Sequence, residues 1–244
     1  MPLSTEPIIQ ESLNDLRLIL TEIEEYNSKH HHSYPVVLIG GWAVFAFNAY
    51  YGSVDIDLVT SSNSKKFMNR LLTKRLDYHR QSYEFGFHSM CRSSPAGKIV
   101  VEFASRDEDF LFEGKNEKLN FDILNGNCIV RELQNLQATI PKREVLLLFK
   151  LKAAHDRTMR LKSGTSSDPA WERAKVEKDN SDIIALIDTD DALNLSFLGE
   201  YLSKFPFLLN TLSSVVNEAS ALKYGKSLQY CTNIHNKLVS LLNV

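Results

Sequence analysis

The sequence predicts an α+β protein in which strands and helices come first and helices alone follow. Two observations favour this class. Short apolar runs and alternating apolar patterns, which are typical of strands, end near residue 140, and helical spacing of apolar residues continues beyond it. We therefore expect a first domain over residues 1–140, with a mixed sheet and flanking helices, and a helical bundle over residues 141–244.

Helices and strands alternate in the first half of the chain. Apolar residues from Ile9 to Ile23 recur at helical spacing and predict an opening amphipathic helix. "PVVLIG" predicts a buried strand that ends at Gly40 and Gly41, and "WAVFAFNAYY" predicts a helix of about two to three turns. "SVDIDLVT" predicts a second strand, and "NSKKFMNRLLTKRL" predicts a helix that Asn63 would cap.

Two hairpins are then expected, followed only by helices. "YEFGFHSMCR" and "KIVVEFAS" flank the turn-rich "SSPAG", and "KLNFDIL" and "CIVREL" flank the segment 125–127. Helical periods predict helices over 141–162, 172–188, 195–216 and 219–242.

Composition and charge exclude several classes of protein. The net charge of −2 gives no global basic field for nucleic acid or membranes, although residues 1–140 carry net −4 and residues 141–244 net +2. Three scattered cysteines disfavour a disulfide framework or a zinc cluster. No secretory signal and no membrane-length apolar segment is apparent, so we expect a cytoplasmic protein with no membrane partner.

Asp55 and Asp57 are the first candidate site. Residues two apart on a strand project from the same face, and two neighbouring carboxylates suit a hard cation such as Mg²⁺ that also binds substrate phosphates. A solvated acidic edge strand would show the same pattern.

Gly40 and Gly41 are the second candidate site. A glycine pair between a strand and a helix lets backbone N–H groups approach a phosphate, although a tight turn would also explain it. The fourteen residues from Gly41 to Asp55 suffice for a short helix and a turn, which would bring the metal and phosphate sites together.

The stretch "GGWAVFAFNAYYGSVDID" resembles the signature of the DNA polymerase β-like nucleotidyltransferases, in which Gly-Gly, a helix and Asp-x-Asp follow one another. Its opening resembles antibiotic nucleotidyltransferases. The resemblance implies that Asp55, Asp57 and a third carboxylate hold Mg²⁺ or Mn²⁺ and catalyse the reaction. The resemblance places the third carboxylate on a neighbouring strand. Glu102 is our candidate because alternation puts it on one strand face and Phe103 on the other, and Asp122 is the second choice.

The C-terminal half looks more like the AbiEii/AbiGii toxin-type nucleotidyltransferases of bacterial abortive-infection and toxin–antitoxin systems, through "KLKAAHDR" and "KDNSDIIALI". The resemblance implies that Lys150 and Arg157, which are seven residues apart on one helix, contact nucleotide or acceptor. Each could equally solvate an amphipathic helix. The roles of Lys178, Asp179 and Asp182 stay open.

Three departures from the toxin-type pattern stand out. Trp42 replaces a small hydroxyl residue after Gly-Gly, and Tyr51 replaces an arginine, with Ser53 offering a nearby hydroxyl. We include Gly40, Gly41, Trp42 and Ser53 among the nucleotide-binding candidates. The stretch between Arg157 and Lys178, which contains "SGTSSDPAW", is also longer than expected.

These features predict a metal-dependent enzyme that transfers a nucleoside monophosphate from an NTP to an acceptor hydroxyl. The acceptor could be tRNA or another RNA, a protein or a small molecule, and the toxin-type resemblance implies a partner antitoxin. The alternatives are an antibiotic nucleotidyltransferase of the aminoglycoside or lincosamide kind, and an inactive nucleotide-binding protein of the same fold.

Overall fold

The computed structural model describes residues 6–31, 35–49, 52–84, 87–189, 191–217 and 228–243. The chain divides into two units. Unit 1 comprises residues 1–111 and 117–142, and unit 2 comprises residues 112–116 and 143–244. The division therefore lies two residues beyond 140, and a five-residue segment inside the first half belongs to the second unit.

Unit 1 is built on a five-stranded mixed sheet with the order β1-β2-β5-β4-β3. Only β2 and β5 run parallel, and the other neighbouring strands are antiparallel. The α+β class and the mixed sheet are confirmed. The strands are β1 (Val37–Ile39), β2 (Ile56–Thr60), β3 (His79–Glu84), β4 (Phe87–Ser94) and β5 (Gly97–Ser105).

Three helices accompany this sheet: α1 (Pro7–Lys29), α2 (Gly40–Phe45) and α3 (Ser62–Arg75). Helices α1 and α3 pack against β5, whose Ile99, Val101 and Phe103 are completely buried. Each such buried side chain stabilises the fold by roughly 1.5–3 kcal/mol. One face of β5 is therefore covered by helices, and Glu102 projects from the other.

Several local predictions needed correction in unit 1. Helix α2 starts at Gly40 and spans six residues, which is shorter than expected. Ser61, not Asn63, caps α3, because its side chain accepts the Ser64 N–H. Strand β2 starts at Ile56, so Asp55 lies in the bend before it. Tyr51 lies outside the described residues.

The second predicted hairpin is also wrong. "FDIL" forms a 3-10 helix, Phe121–Leu124, and β6 (Cys128–Leu133) pairs instead with β7 (Leu136–Pro141). The turn between them uses Gln134 and Asn135, both with positive φ, which matches the twist of a two-residue hairpin. Strand β7 also packs on β1.

Unit 2 is helical over the residues described outside the segment 112–116. Its helices are α4 (Arg143–Ser163), α5 (Pro169–Ile187), α6 (Leu195–Lys204), α7 (Phe207–Asn217) and α8 (Leu228–Leu242). The predicted helix over 195–216 is divided at Phe205 and Pro206, and residues 219–227 of the last predicted helix lie outside the described residues. In the described part of the chain, no helix combines the length and apolarity needed to cross a membrane.

Candidate functional site

Asp57 and Glu102 lie side by side in the sheet. Strands β2 and β5 are parallel neighbours in which Asp57 is the register partner of Glu102, so their side chains project from the same face. That face is opposite to the one that α1 and α3 cover. Both residues are half-buried. The pairing places two of the three predicted carboxylates side by side. Sequence periodicity alone does not predict which strands pair, so it could not have shown this.

Asp55 precedes this pair by one bend. It lies just before the first residue of β2, two positions from Asp57, and it is also half-buried. The alternative third carboxylate, Asp122, is exposed on the 3-10 helix and lies on no strand. Of the two candidates, only Glu102 is a neighbour of Asp57 in the sheet.

Gly40 is fitted to Asp57. Strand β1 pairs with β2 so that Ile39 is opposite Asp57, and Gly40 follows with φ +68°. A Cβ built on Gly40 would overlap the Asp57 carboxylate. The sequence analysis predicted phosphate contact at this glycine, and the structure shows a separate reason for glycine here, because a side chain would displace Asp57.

The remaining nucleotide-binding candidates of unit 1 are buried. Gly41 and Trp42 belong to α2, and Ser53 is 2% exposed in the segment before β2. The Trp42 side chain is completely buried, and its indole N–H donates to Ser12 Oγ at 3.1 Å. The Trp42 ring is therefore not exposed to a nucleotide in this structure, and its nucleotide-binding role stays a prediction. Because α2 spans six residues, its dipole adds little to anion binding.

Ser89 lies next to Glu102 in the sheet, and the sequence analysis did not single it out. It is the register partner of Glu102 on β4, on the side of β5 away from Asp57, and it is 5% exposed. The hairpin pairs Ser94 with Gly97, so the two-residue loop alone fixes Ser89 opposite Glu102. Recognising a two-residue loop in "SSPAG" would have found it.

The donor set has the chemistry of a magnesium or manganese site, because carboxylate oxygens are the ligands these ions prefer. Within the described residues, however, no group of three His, Cys, Asp or Glu side chains stands close enough to hold one ion together. Backbone register thus aligns Asp57 with Glu102 and leaves Asp55 nearby, without a preformed three-carboxylate cage.

Lys150 and Arg157 lie in unit 2, within an ion-pair network between α4 and α5. Lys150 Nζ is 3.2 Å from Asp179 Oδ1 and 2.6 Å from Asp182 Oδ2, and Arg157 contacts the other oxygen of Asp179. Lys150 is only 7% exposed. The Asp179 and Asp182 carboxylates therefore neutralise the two cations that the resemblance assigned to nucleotide contact.

The network continues along α4. Arg160 donates to Glu172 at 2.6 Å, and Lys152 lies 2.5 Å from Asp156. Burial lowers the pKa of Lys152, although Asp156 partly offsets this. Much of the positive charge of α4 is therefore paired with carboxylates of unit 2.

Comparisons with known proteins give distant structural likenesses only. No family model and no curated protein matches the sequence. The fold is similar to a nucleotidyltransferase-like antigenic protein from Paracoccidioides brasiliensis, at 16% identity over 92% of this chain and 96% of that one, with a TM-score of 0.45. A candidate nucleotidyltransferase from Thermotoga maritima matches at 15% identity over 71% and 98% of the two chains, with a TM-score of 0.39. Both structural neighbours are thus nucleotidyltransferase-like, and likenesses this distant assign no activity to the chain.

Proposed function

We propose that this protein is a metal-dependent nucleotidyltransferase that transfers a nucleoside monophosphate from an NTP to an acceptor hydroxyl. The observation that carries the proposal is the parallel register of Asp57 and Glu102 on the face opposite to the helix-covered face, with Asp55 one bend away and Gly40 against Asp57. Paired carboxylates beside a glycine turn suit the binding of a nucleoside triphosphate and its metal ion.

Each residue has a distinct role in the proposed reaction. Bound Mg²⁺ or Mn²⁺ would neutralise negative charge on the phosphates. Asp55 and Asp57 would hold the ion, and the backbone at Gly40 and Gly41 would bind the triphosphate. A Glu102 oxygen takes the acceptor hydroxyl proton as the acceptor oxygen bonds to the α-phosphorus. The bond from that phosphorus to the leaving oxygen breaks, and pyrophosphate departs.

The proposal leaves Lys150 and Arg157 outside the nucleotide site, because both have carboxylate partners within unit 2. The acceptor classes to test are tRNA or another RNA, a protein hydroxyl, and a small molecule such as an aminoglycoside or lincosamide. A role as the toxin of a toxin–antitoxin pair belongs with the first two classes. A nucleotide-binding protein without turnover is the second candidate function, favoured by the lack of a three-residue metal group among the described residues.

The test is transfer of label from each of the four α-³²P NTPs, with Mg²⁺ or Mn²⁺, in three arms that contain total tRNA, lysate protein or an antibiotic panel. We compare wild type with Asp55→Asn/Asp57→Asn and with Glu102→Gln. Asp122→Asn is the matched control, because it removes an exposed carboxylate that lies off the sheet. Loss of a general base or of the metal carboxylates should reduce transfer by about 100-fold or more.

The outcomes separate the candidate functions. Transfer by wild type and by the Asp122 variant, but not by the other two, supports the enzyme and names the acceptor class. Metal-dependent NTP binding without transfer in any arm supports the inactive binding protein. Transfer that survives in the Asp55/Asp57 variant, or no NTP binding at all, contradicts the proposed site.

A further inference from the structure

Trp171 presents its ring to solvent near the start of α5. It is 52% exposed, whereas the only other tryptophan, Trp42, is completely buried. The Asp168 side chain accepts a hydrogen bond from the Trp171 backbone N–H at 3.0 Å and caps the helix. This bond fixes the backbone that carries the indole. Trp171 belongs to the long stretch between Arg157 and Lys178 that the family resemblance left unexplained.

Helix α5 separates its charges between its inner and outer sides. Three of its carboxylates are between 1% and 4% exposed and pair with α4 cations, as Glu172 does with Arg160 at 2.6 Å and Asp182 with Lys150 at 2.6 Å. The cations of α5 remain on the outside. The helix therefore shows solvent three cations, Arg173, Lys175 and Lys178, and one carboxylate, Glu177.

The outward residues form a stripe. Trp171, Lys175 and Lys178 are four and three residues apart, so they lie along one side of the helix over about 10 Å. The Lys175 ammonium group lies 5.4 Å from the centre of the indole ring. Lys178 is 3.3 Å from Asp182 and is still one-third exposed. Lys162, exposed at the end of α4, adds another cation to this part of the chain.

We propose that this stripe, with Arg173, binds single-stranded nucleic acid. A planar exposed indole offers a surface on which an unpaired base stacks, and neighbouring cations attract the phosphates. An isolated exposed tryptophan would need no explanation, but here it stands beside cations on a helix that buries three of its four carboxylates. The site lies wholly in unit 2, so the inference does not depend on the proposed transfer activity.

The two tryptophans provide a built-in probe. We titrate the full-length protein with 12-mer oligouridine and, separately, with 12-mer oligothymidine, at low salt and in EDTA. Because Trp42 is buried, quenching of tryptophan fluorescence on binding reports Trp171. Comparing the two oligonucleotides shows whether the stripe prefers RNA or DNA. EDTA removes metal ions, so that binding is measured without metal-dependent transfer.

Variants test the stripe directly by anisotropy with a labelled oligonucleotide. Trp171→Ala should weaken binding about tenfold and abolish the quenching, and Trp171→Phe should restore part of the affinity. Arg173→Gln/Lys175→Gln should reduce the slope of log affinity against log salt concentration by about 1–2. Val130→Ala, which shortens an exposed side chain in unit 1, should change neither quantity.

Three outcomes would overturn the proposal. Wild type does not bind either oligonucleotide, Trp171→Ala binds as tightly as wild type, or polyglutamate and duplex RNA compete as well as single strands. The last result would indicate a general cation surface or an acidic protein partner. Circular dichroism melts verify that each variant is folded. If Trp171→Ala does not fold, Trp171→Phe still tests the role of the aromatic ring.

Discussion

Gly40 shows how one missing side chain shapes the candidate site. Its φ of +68° is unfavourable for any residue with a Cβ, by about 1–2 kcal/mol, and that Cβ would also overlap Asp57. We expect Gly40→Ala to reduce label transfer by at least about tenfold, because the carboxylate must move, and to lower the free energy of unfolding by more than the backbone cost alone. Transfer assays and urea denaturation measure the two effects.

Gly126 supplies the matched control for this substitution. Its φ is +71°, but nothing lies within 4 Å of a Cβ built there. Gly126→Ala should therefore carry the same backbone cost of about 1–2 kcal/mol and leave transfer unchanged. If both alanine variants lost transfer equally, the overlap with Asp57 would not be the reason for glycine at position 40.

A second local arrangement, on the helix-covered side of the sheet, joins Tyr78, Asp15 and Arg92. The Tyr78 hydroxyl donates to Asp15 Oδ2 at 2.6 Å, and Arg92 donates to the same oxygen at 2.7 Å. Burial, and then the bond to Asp15, raise the pKa of Tyr78 above its ordinary value of 10.0. The protonated phenol is therefore favoured in the folded state.

This shift predicts a pH dependence of stability. Because the pKa is raised on folding, the stabilisation is complete below pH 10 and is lost as the pH rises further, where the unfolded chain releases the proton first. Tyr78→Phe should cost about 1 kcal/mol at pH 7, and the difference from wild type should shrink above pH 10. Urea denaturation at pH 7, 9 and 10.5 checks this, and a difference that stays constant with pH would contradict it.

At the residue scale, the sequence predicted which strand face a side chain occupies, but it did not predict which of the two tryptophans is buried. Alternation correctly placed Glu102 and Phe103 on opposite faces of β5, because a period of two depends only on local backbone geometry. It could not show that Trp42 is buried and hydrogen-bonded to Ser12, or that Trp171 is exposed, since both depend on what packs against the helix.

At the scale of single elements, periodicity predicted the long helices and the first hairpin. It did not predict the second hairpin, whose turn consists of Gln134 and Asn135. The segment 125–127 has a stronger turn signal than Gln134 and Asn135. The hairpin nevertheless forms at Gln134 and Asn135. The alternation of "NFDIL" fits a strand as well as it fits the 3-10 helix, whose Phe121, Ile123 and Leu124 are buried.

The ion pairs between α4 and α5 give an element-scale prediction. Asp179 is 3% exposed and contacts both Lys150 and Arg157. Asp179→Asn should lower the free energy of unfolding by about 3 kcal/mol, because it removes a carboxylate partner of the buried Lys150 and of the partly buried Arg157. Thermal and urea denaturation of the full chain measure the change.

Glu200→Gln is the matched control, because it removes a carboxylate from the exposed Glu200–Lys204 pair of the same unit. That substitution should leave the free energy of unfolding close to that of wild type, because the pair is exposed to solvent. An Asp179 variant as stable as the control would mean that the network does not hold α4 and α5 together, and would reopen a ligand-binding role for Lys150 and Arg157.

At the scale of the whole molecule, the path of the chain differs from a simple two-domain division. The chain passes from one unit to the other after residue 111, after residue 116 and after residue 142. The sequence predicted only the last passage, near residue 140, because composition and periodicity change there. The segment 112–116 is too short to have a period, and its assignment to unit 2 rests on tertiary contacts.

Phe112 anchors this segment in unit 2. It is 2% exposed, with ring centres 4.9 Å from Phe207 and 5.0 Å from Phe205. The next residue, Glu113, donates its backbone N–H to Asp156 at 2.9 Å. The side chain that fills part of the core of unit 2 therefore comes from the sequence of the first half of the chain.

Phe112→Ala should accordingly destabilise unit 2 rather than unit 1. Removing a buried phenyl ring costs about 3–5 kcal/mol, so in the full chain amide protons of α4 and α7 should exchange faster while those of β2 and β5 keep their protection. Hydrogen exchange followed by mass spectrometry resolves the two units. Leu111→Ala, at the half-exposed preceding residue, should leave both unchanged. Faster exchange in β5 but not in α4 would show that residues 112–116 belong energetically to the sheet.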